Sequence, residues 1–289
     1  MIIIKTLCLI LLFLSFGKIP ERKNIKRLIS KNDFFERDKT IIESHRGINR
    51  EICENTLEAF TRAINYGIES LETDVWLSKD NVLVIYHGSG DFGQLDKLYN
   101  QPRNIVDINW NELSSFKTVY DNLKMPTLKD VFLLTKNKIY LNLEIKDPRI
   151  DILWPILVEL IEKYNYYNQI SLSSFFFDYY NKTQEYNMKY NRNISFGFLY
   201  HKNNTQEFIF DKKGNSLNVY WTDATKDFCR KAHKNGMAVL VWFDMYDEEN
   251  FEIYRQLVEN GVNVICSNEP VLAKKFLNEY YHQFYKKKK

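Results

Sequence analysis

From Ile41 onward the chain alternates short apolar runs with amphipathic stretches at helical spacing, an order that constrains the fold more than any single motif. Strands are predicted at Ile41 to Ser44, Ser70 to Leu77, Val82 to Tyr86, Ile139 to Ile145, Gln169 to Ser173, Ile194 to Leu199, Leu217 to Trp221, Met237 to Trp242 and Val262 to Cys266. Helices are predicted at Asn55 to Tyr66, Thr127 to Thr135, Ile152 to Tyr164, Phe177 to Tyr190, Lys226 to Asn235, Glu248 to Asn260 and Val271 to Tyr285. In the first of them Leu57, Phe60, Ala63 and Ile64 share one face, and Gly67 stops the helix. Strands joined through helices run parallel, and eight parallel strands close as a (β/α)8 TIM barrel.

Nine strands are one too many for such a barrel. Only Ser78 to Asn81 separate the second and third, too short for a parallel crossover, so these two are expected to form an antiparallel hairpin turning at Asp80-Asn81. That register sets His87 opposite Asp74, on the face that carries Glu72. Residues 88–126 have no regular apolar period and interrupt the barrel after the third strand segment, as an inserted cap. Phe92, Leu95, Leu98, Tyr99, Ile105, Val106, Ile108 and Trp110 lie within it, interleaved with polar residues, and suit either a small core or a groove.

A chain of 289 residues fits one barrel domain, 40–285, with the insertion at 88–126. Met1 to Phe16 are apolar apart from Lys5, Thr6 and Ser15, short for a bilayer span but suited to a signal peptide, so 1–17 reads as a signal peptide or an N-terminal anchor and 18–39 as a linker. Entry to the secretory pathway, or a membrane-anchored form, is expected. In an uncleaved anchor the cations at Lys18, Arg22, Lys23, Lys26 and Arg27 would hold the barrel on the cytosolic face. Sequons at Asn181, Asn193 and Asn203 become meaningful in a luminal protein.

The net charge of +3 comes from 40 basic against 37 acidic residues, and the tail Lys286 to Lys289 carries much of it, which excludes a broad nucleic-acid surface. The four cysteines, Cys8, Cys53, Cys229 and Cys266, form neither a disulfide framework nor a zinc spacing.

Chemistry-bearing residues gather where strands should end. His45-Arg46-Gly47 follows the first strand, Glu72-Thr73-Asp74 lies in the second, His87 follows the third and Glu144-Ile145-Lys146 ends the fourth. Two histidines, three carboxylates and two cations in that order compose a phosphodiester site.

These residues are similar to those of the glycerophosphodiester phosphodiesterases. The likeness runs in order through His45-Arg46-Gly47, Glu54-Asn55-Thr56-Leu57-Glu58-Ala59-Phe60, Glu72-Thr73-Asp74-Val75 with Ser78-Lys79-Asp80-Asn81, His87, Leu143-Glu144-Ile145-Lys146, Ser173-Ser174-Phe175, Val241-Trp242 and Gly261-Val262. Four positions depart from the pattern. Cys53 stands for Pro, Gly88 for Asp, Phe243 for Thr, and Ser267-Asn268-Glu269-Pro270 is a loose form of Thr-Asp-x-Pro. The resemblance implies a TIM barrel, a small glycerophosphodiester substrate, and attack by the substrate's own glycerol hydroxyl to give a cyclic phosphate that water opens.

Charge suggests the roles. A phosphodiester gains negative charge in its transition state, so cations must face its non-bridging oxygens. Glu72, Asp74 and Glu144 offer three hard oxygen ligands, which favour Mg²⁺ or Ca²⁺. Arg46 suits the phosphate as a planar fork and Lys146 as a point charge. His45 and His87 suit proton removal and donation, with ordinary pKa values near the working pH.

Blander readings stand beside these. Glu58 and Glu69 read as caps or ion-pair partners, and Glu54 as a cap or a site neighbour. His201, His233 and His282 read as surface or satisfied histidines, and Trp242 as barrel core or as an apolar wall beside the substrate. Phe175-Phe176-Phe177 with Tyr179 and Tyr180 reads as packing, or as an acyl-chain contact at the barrel mouth. Three function classes follow: a metal-dependent phosphodiesterase for deacylated glycerophosphodiesters, a lysophospholipase-D-like enzyme acting on lysophospholipids, and a non-catalytic barrel used for binding.

Overall fold

The computed structural model describes residues 39–90, 92–203, 210 and 214–287. The leader at 1–17, the linker up to residue 38 and the tail end at 288–289 lie outside the described residues.

Among the described residues are nine strands, β1 (Ile41–His45), β2 (Ser70–Leu77), β3 (Leu83–Ile85), β4 (Tyr140–Ile145), β5 (Ile170–Ser174), β6 (Ser195–Leu199), β7 (Ser216–Tyr220), β8 (Ala238–Trp242) and β9 (Val264–Ser267). Eight of them form a closed parallel ring in the order β1-β2-β4-β5-β6-β7-β8-β9, with β9 pairing back to β1. β3 lies outside the ring, antiparallel to β2. Helices follow at Leu57–Asn65, Leu128–Thr135, Ile150–Lys163, Asp178–Tyr190, Lys226–Lys234, Phe251–Asn260 and Pro270–Lys287. The chain is a TIM barrel with one extra strand, as the alternation predicts.

The main core fills the space between ring and helices. Leu71, Val75, Leu77, Leu141, Leu143 and Ile145 face outward from their strands onto Phe60, Leu128, Val131 and Phe132. The residues of opposite parity face the barrel axis. Ile41, Tyr140, Ala238, Leu240, Val264 and Cys266 make an apolar cluster there. Alongside it the interior is polar: buried Glu43 accepts hydrogen bonds from Ser70 Oγ (2.7 Å) and Asn142 Nδ2 (3.0 Å), and Ser173 Oγ donates to Asn142 Oδ1 (3.1 Å).

The hairpin differs from expectation by one residue. Ser78 N–H donates to Val82 O at 2.9 Å, enclosing a three-residue turn, Lys79 to Asn81, with Asn81 left-handed at φ 64°. Val75 therefore pairs with Ile85, and Tyr86 rather than His87 bonds Asp74, its N–H donating to Asp74 O at 3.2 Å. His87 reaches the site because the chain leaves the ladder just before it, not through strand parity.

Residues 88–126 contain short helices at Asp96–Tyr99 and Trp110–Leu113 and a 3-10 turn at Ile105–Asp107. Leu95, Tyr99, Ile105, Ile108, Leu113 and Met125 bury against Trp76, Val84 and Tyr86 of the hairpin. The apolar residues of this segment thus make a small satellite core, with Phe92 left exposed.

The start of the first barrel helix also shifts. Asn55 is left-handed at φ 56°, and Thr56 is the N-cap, its side chain accepting from Ala59 N–H. The turn after β1 packs directly on that helix start. Gly47 has φ +89°, and a Cβ built on it would lie 2.6 Å from Ala59 Cβ and 2.8 Å from Ala59 carbonyl carbon. Both the conformation and the space require glycine. Gly47→Ala is expected to lower unfolding free energy by about 3 kcal/mol or more. Urea denaturation checks this, and an unchanged midpoint would refute the packing argument.

Candidate active site

The C-terminal face of the ring brings together the residues that the sequence reading assigns to catalysis, metal and substrate. A cleft of about 560 Å³ is lined by His45, Arg46, Glu72, His87, Glu144 and Lys146, with Trp242 on its wall. Asp74 lies buried beneath them.

Arg46 takes a left-handed backbone, φ 56°, which turns its N–H to Glu72 O (3.1 Å) and Glu72 Oε2 (3.2 Å). Its guanidinium then meets Glu54 Oε1 at 3.1 Å and Asp74 Oδ2 at 3.2 Å. Glu54 is a site neighbour and not a helix cap. Lys146 Nζ lies 2.7 Å from Glu144 Oε1 and 3.5 Å from Asp74 Oδ1. Asn55 Nδ2 donates to Asp74 Oδ2 at 2.7 Å while Thr73 Oγ1 donates to Asn55 Oδ1 at 2.7 Å, fixing that amide. Burial alone would raise the Asp74 pKa, but Arg46 and Lys146 outweigh it and hold the carboxyl below its ordinary value.

Oxygens of Glu72, Asp74 and Glu144 all lie within 4.8 Å of one another, and buried Glu72 Oε1 has no hydrogen-bond partner among the described residues. Burial pushes the Glu72 pKa up, and the Asp74 charge adds to it; burial also raises Glu144. Four carboxylates, including Glu54, face two fixed cations, Arg46 and Lys146, leaving two negative charges when all ionise. The donor set, the charge and the orphaned oxygen fit one divalent cation with hard oxygen preference.

His45 is held from behind. Asn268 Nδ2 donates to Asp244 O at 3.0 Å, so its Oδ1 faces His45 Nδ1 at 2.8 Å and accepts from it. The same oxygen accepts from Asn49 Nδ2 at 2.8 Å. Asn268 is in turn anchored by its N–H donating to buried Glu249 Oε1 at 2.8 Å. The imidazole proton therefore sits on Nδ1, and the Nε2 lone pair faces Glu72 Oε2 at 3.9 Å.

Burial and the Arg46 charge pull the His45 pKa down to about 3. Burial, Arg46 and Lys146 likewise put His87 well below its ordinary value. Both histidines are neutral at neutral pH, contrary to the expectation of unperturbed values. The His87 carbonyl accepts from Trp76 Nε1 at 3.1 Å, and Gly88 follows at φ +67°, where a Cβ would lie 2.8 Å from Gly93 Cα.

The departures noted in the sequence have local reasons. Cys53 N–H donates to Asp121 Oδ2 at 2.7 Å, a bond that proline cannot make. Phe243 is buried and stacks on Trp221 with ring centroids 5.6 Å apart. Trp242 packs on the inner apolar cluster and also lines the cleft, with Tyr220 edge-on at 5.2 Å.

His201 is exposed, in keeping with a surface reading, and also lines the cleft. Its ring stacks on Phe175 at 4.2 Å and an interplanar angle of 15°. Phe175 faces the cleft, Phe177 packs against Phe198 and Tyr200, and Phe176 is exposed. The sequence reading names Asn55 and Asn268 only within the family likeness, leaves His201 outside the site and gives Glu249 no part in it. Asn268 and His45 stand 223 positions apart, and only the Ser267-Asn268-Glu269-Pro270 likeness hinted at the pair.

The family model for the glycerophosphoryl diester phosphodiesterase family matches residues 45–272. The chain belongs to that family. It is a phosphoric diester hydrolase of the glycerophosphodiester type. It is 26% identical over 243 residues to a glycerophosphodiester phosphodiesterase of Caldanaerobacter subterraneus subsp. tengcongensis, covering 80% of this chain and 95% of that one. Its fold resembles that of the Thermotoga maritima glycerophosphodiester phosphodiesterase, with a TM-score of 0.66, 26% identity, and coverage of 83% and 99% of the two chains. An Oleispira antarctica phosphodiesterase solved with the product sn-glycerol-3-phosphate gives a TM-score of 0.69 at 20% identity, covering 82% and 96%.

Two outcomes test the His45 arrangement. In nitrogen NMR its signals should report the Nδ1–H tautomer and should not titrate from about pH 8 to about pH 5. A group neutral in the folded protein and protonated when unfolded contributes stability in full above about 6.5, and that contribution is lost as pH falls toward about 3. Asn268→Asp sets a negative charge against Nδ1 and should raise the His45 pKa; an unmoved titration would break the link between the two residues.

Proposed function

We propose that this phosphodiesterase hydrolyses a glycerophosphodiester to glycerol 3-phosphate and an alcohol, using a divalent cation and two histidines. The observation that carries the reading is the meeting of Glu72, Asp74 and Glu144 within 4.8 Å at one side of a cleft that His45, His87, Arg46 and Lys146 also line. Glu72, Asp74 and Glu144 would hold Mg²⁺ or Ca²⁺, which supplies positive charge against a non-bridging phosphate oxygen and acidifies a nearby hydroxyl.

The residues of the chain do the rest. Arg46 and Lys146 pair with the carboxylates, line the cleft beside them and offer charged N–H donors to the phosphate. His45, neutral with Nε2 free of the Nδ1 proton, takes the proton of the attacking glycerol hydroxyl. The new phosphorus–oxygen bond closes a cyclic phosphate as the bond to the leaving alcohol breaks. His87 donates the proton that the departing oxygen needs. Burial, Arg46 and Lys146 lower its basicity in the free site, so His87 takes up this proton as the anionic diester enters and offsets them. Water then opens the ring by the reverse proton transfers. Trp242 and Phe175 form apolar walls for the glycerol carbons.

Removing the cation with chelator should abolish hydrolysis of glycerophosphocholine, and Mg²⁺ or Ca²⁺ should restore it. Glu72→Gln, Asp74→Asn and Glu144→Gln should each weaken metal affinity; full activity after exhaustive chelation would remove the cation from the mechanism. His45→Ala and His87→Ala should each reduce turnover by roughly 10² to 10⁴ with the fold intact by circular dichroism. Product analysis on glycerophosphocholine beside lysophosphatidylcholine identifies the substrate class. Faster turnover of the lysophospholipid would replace the deacylated diester in this reading.

A further inference from the structure

Among the hard oxygens of the mouth the structure places one soft donor. Cys266 faces the barrel interior from β9, paired in register with Glu43 of the neighbouring β1. Its Sγ, a ring nitrogen of His45 and a carboxylate oxygen of Glu72 all lie within 4.8 Å of one another. All three residues are buried, and Glu72 Oε1 has no hydrogen-bond partner. Because His45 Nδ1 is committed to Asn268, Nε2 is the nitrogen available to a cation. Cys53 and Cys229 belong to no such group among the described residues.

One thiolate, one imidazole and one carboxylate make a donor set that suits Zn²⁺ and leaves a fourth tetrahedral position for water. The same set suits Mg²⁺ and Ca²⁺ poorly, since they prefer oxygen alone. The sequence gives no sign of it, because the ligands come from β1, β2 and β9 and share no local spacing. The plain alternative is that Cys266 fills the interior cluster with Ile41, Leu240 and Val264 while its thiol bonds the Glu43 carboxyl beside it. Packing alone does not call for a sulfur beside two metal-competent groups.

We propose that His45 Nε2, Glu72 and Cys266 Sγ form a second cation site, selective for Zn²⁺ and kindred soft divalent ions, whose occupation switches off hydrolysis. Binding breaks the S–H bond and forms a sulfur–metal bond, the thiol proton passing to water; nothing is oxidised or reduced. The ion takes the His45 lone pair, so the imidazole no longer accepts a proton from the attacking hydroxyl. It also draws Glu72 from the oxygen cluster. The binding step rests on the donor geometry alone, whereas the inhibition rests on the role given to His45 above.

Co²⁺ serves as the spectroscopic stand-in for Zn²⁺ in the full-length protein. Titration should raise a thiolate-to-Co²⁺ charge-transfer band in the near ultraviolet. The band should vanish in Cys266→Ser, and in Cys266→Ala should the buried serine disturb folding. It should weaken in His45→Ala and persist in Glu144→Gln, which touches only the oxygen cluster. With Mg²⁺ in excess, Zn²⁺ should inhibit diester hydrolysis, and the inhibitory midpoint should rise by roughly tenfold or more in Cys266→Ser. No band in the wild type, or an undiminished band in both folded Cys266 variants, overturns the site. A band that behaves as expected without zinc inhibition overturns the switch. Should no diester be hydrolysed under any condition, the proposed function fails, yet the cobalt band still decides the site.

Discussion

Asp74 is the charge on which the barrel mouth is built. It is wholly buried, and a buried carboxylate must be paired on both oxygens or the fold loses several kcal/mol. Its partners come from three separate places: Arg46 after β1, Asn55 before the first helix and Lys146 after β4. One side chain of β2 thus fixes the ends of its two neighbours in the ring. Removing a single partner of such a group costs about 3 to 5 kcal/mol, because the remaining charge stays buried. The ring closure between β1, β2 and β4 and the shape of the catalytic mouth are therefore one structural problem with one solution.

A barrel interior is ordinarily filled by bulky apolar side chains, and this one is so only in part. Ile41, Tyr140, Ala238, Leu240 and Val264 supply an apolar cluster, while Glu43, Asn142, Ser173 and Asn218 line the floor of the cleft. The polar floor is not idle space, since Glu43 accepts from two donors on neighbouring strands and Asn142 is held by Ser173. Burial keeps the Glu43 pKa above its ordinary value, while hydrogen bonds from Asn142 and Ser70 pull it back.

The strands were legible because each carries a continuous or alternating apolar run bounded by polar residues, and the parallel order followed from connection lengths. The site residues were legible for a related reason: a strand end at the C-terminal face of a barrel is where chemistry sits, so His45, Glu72, Asp74 and Glu144 were found by position as much as by type. Turn chemistry set the limit at the hairpin, where Asn81 in a left-handed conformation makes a three-residue turn and slides the register by one. Long-range polar contacts set the other limit. Nothing in the local sequence of Asn268 says that it orients His45, or that Glu249 orients Asn268. The depressed histidine pKa values were equally hidden, since they arise from burial and from charges on other strands.

The mouth also stores conformational cost. Arg46 and Asn55 both sit at φ 56°, joined by Asn55 N–H donating to Arg46 O at 3.0 Å, with Gly47 left-handed between them. A long side chain such as arginine adopts that region only where the surroundings enforce it, at about 1 to 3 kcal/mol. Here the enforcement is visible: the Arg46 N–H is bound by Glu72, its carbonyl by Asn55, and its guanidinium by Glu54 and Asp74. An extended Arg46 would continue β1 and carry its guanidinium away from the carboxylates. The strained turn instead brings backbone and side chain to bear on the same cluster, so the cation's position is fixed by the chain and does not depend on a flexible rotamer. In the function proposed above, a phosphate entering the cleft would meet a donor already in place, its ordering cost met in folding and not in binding.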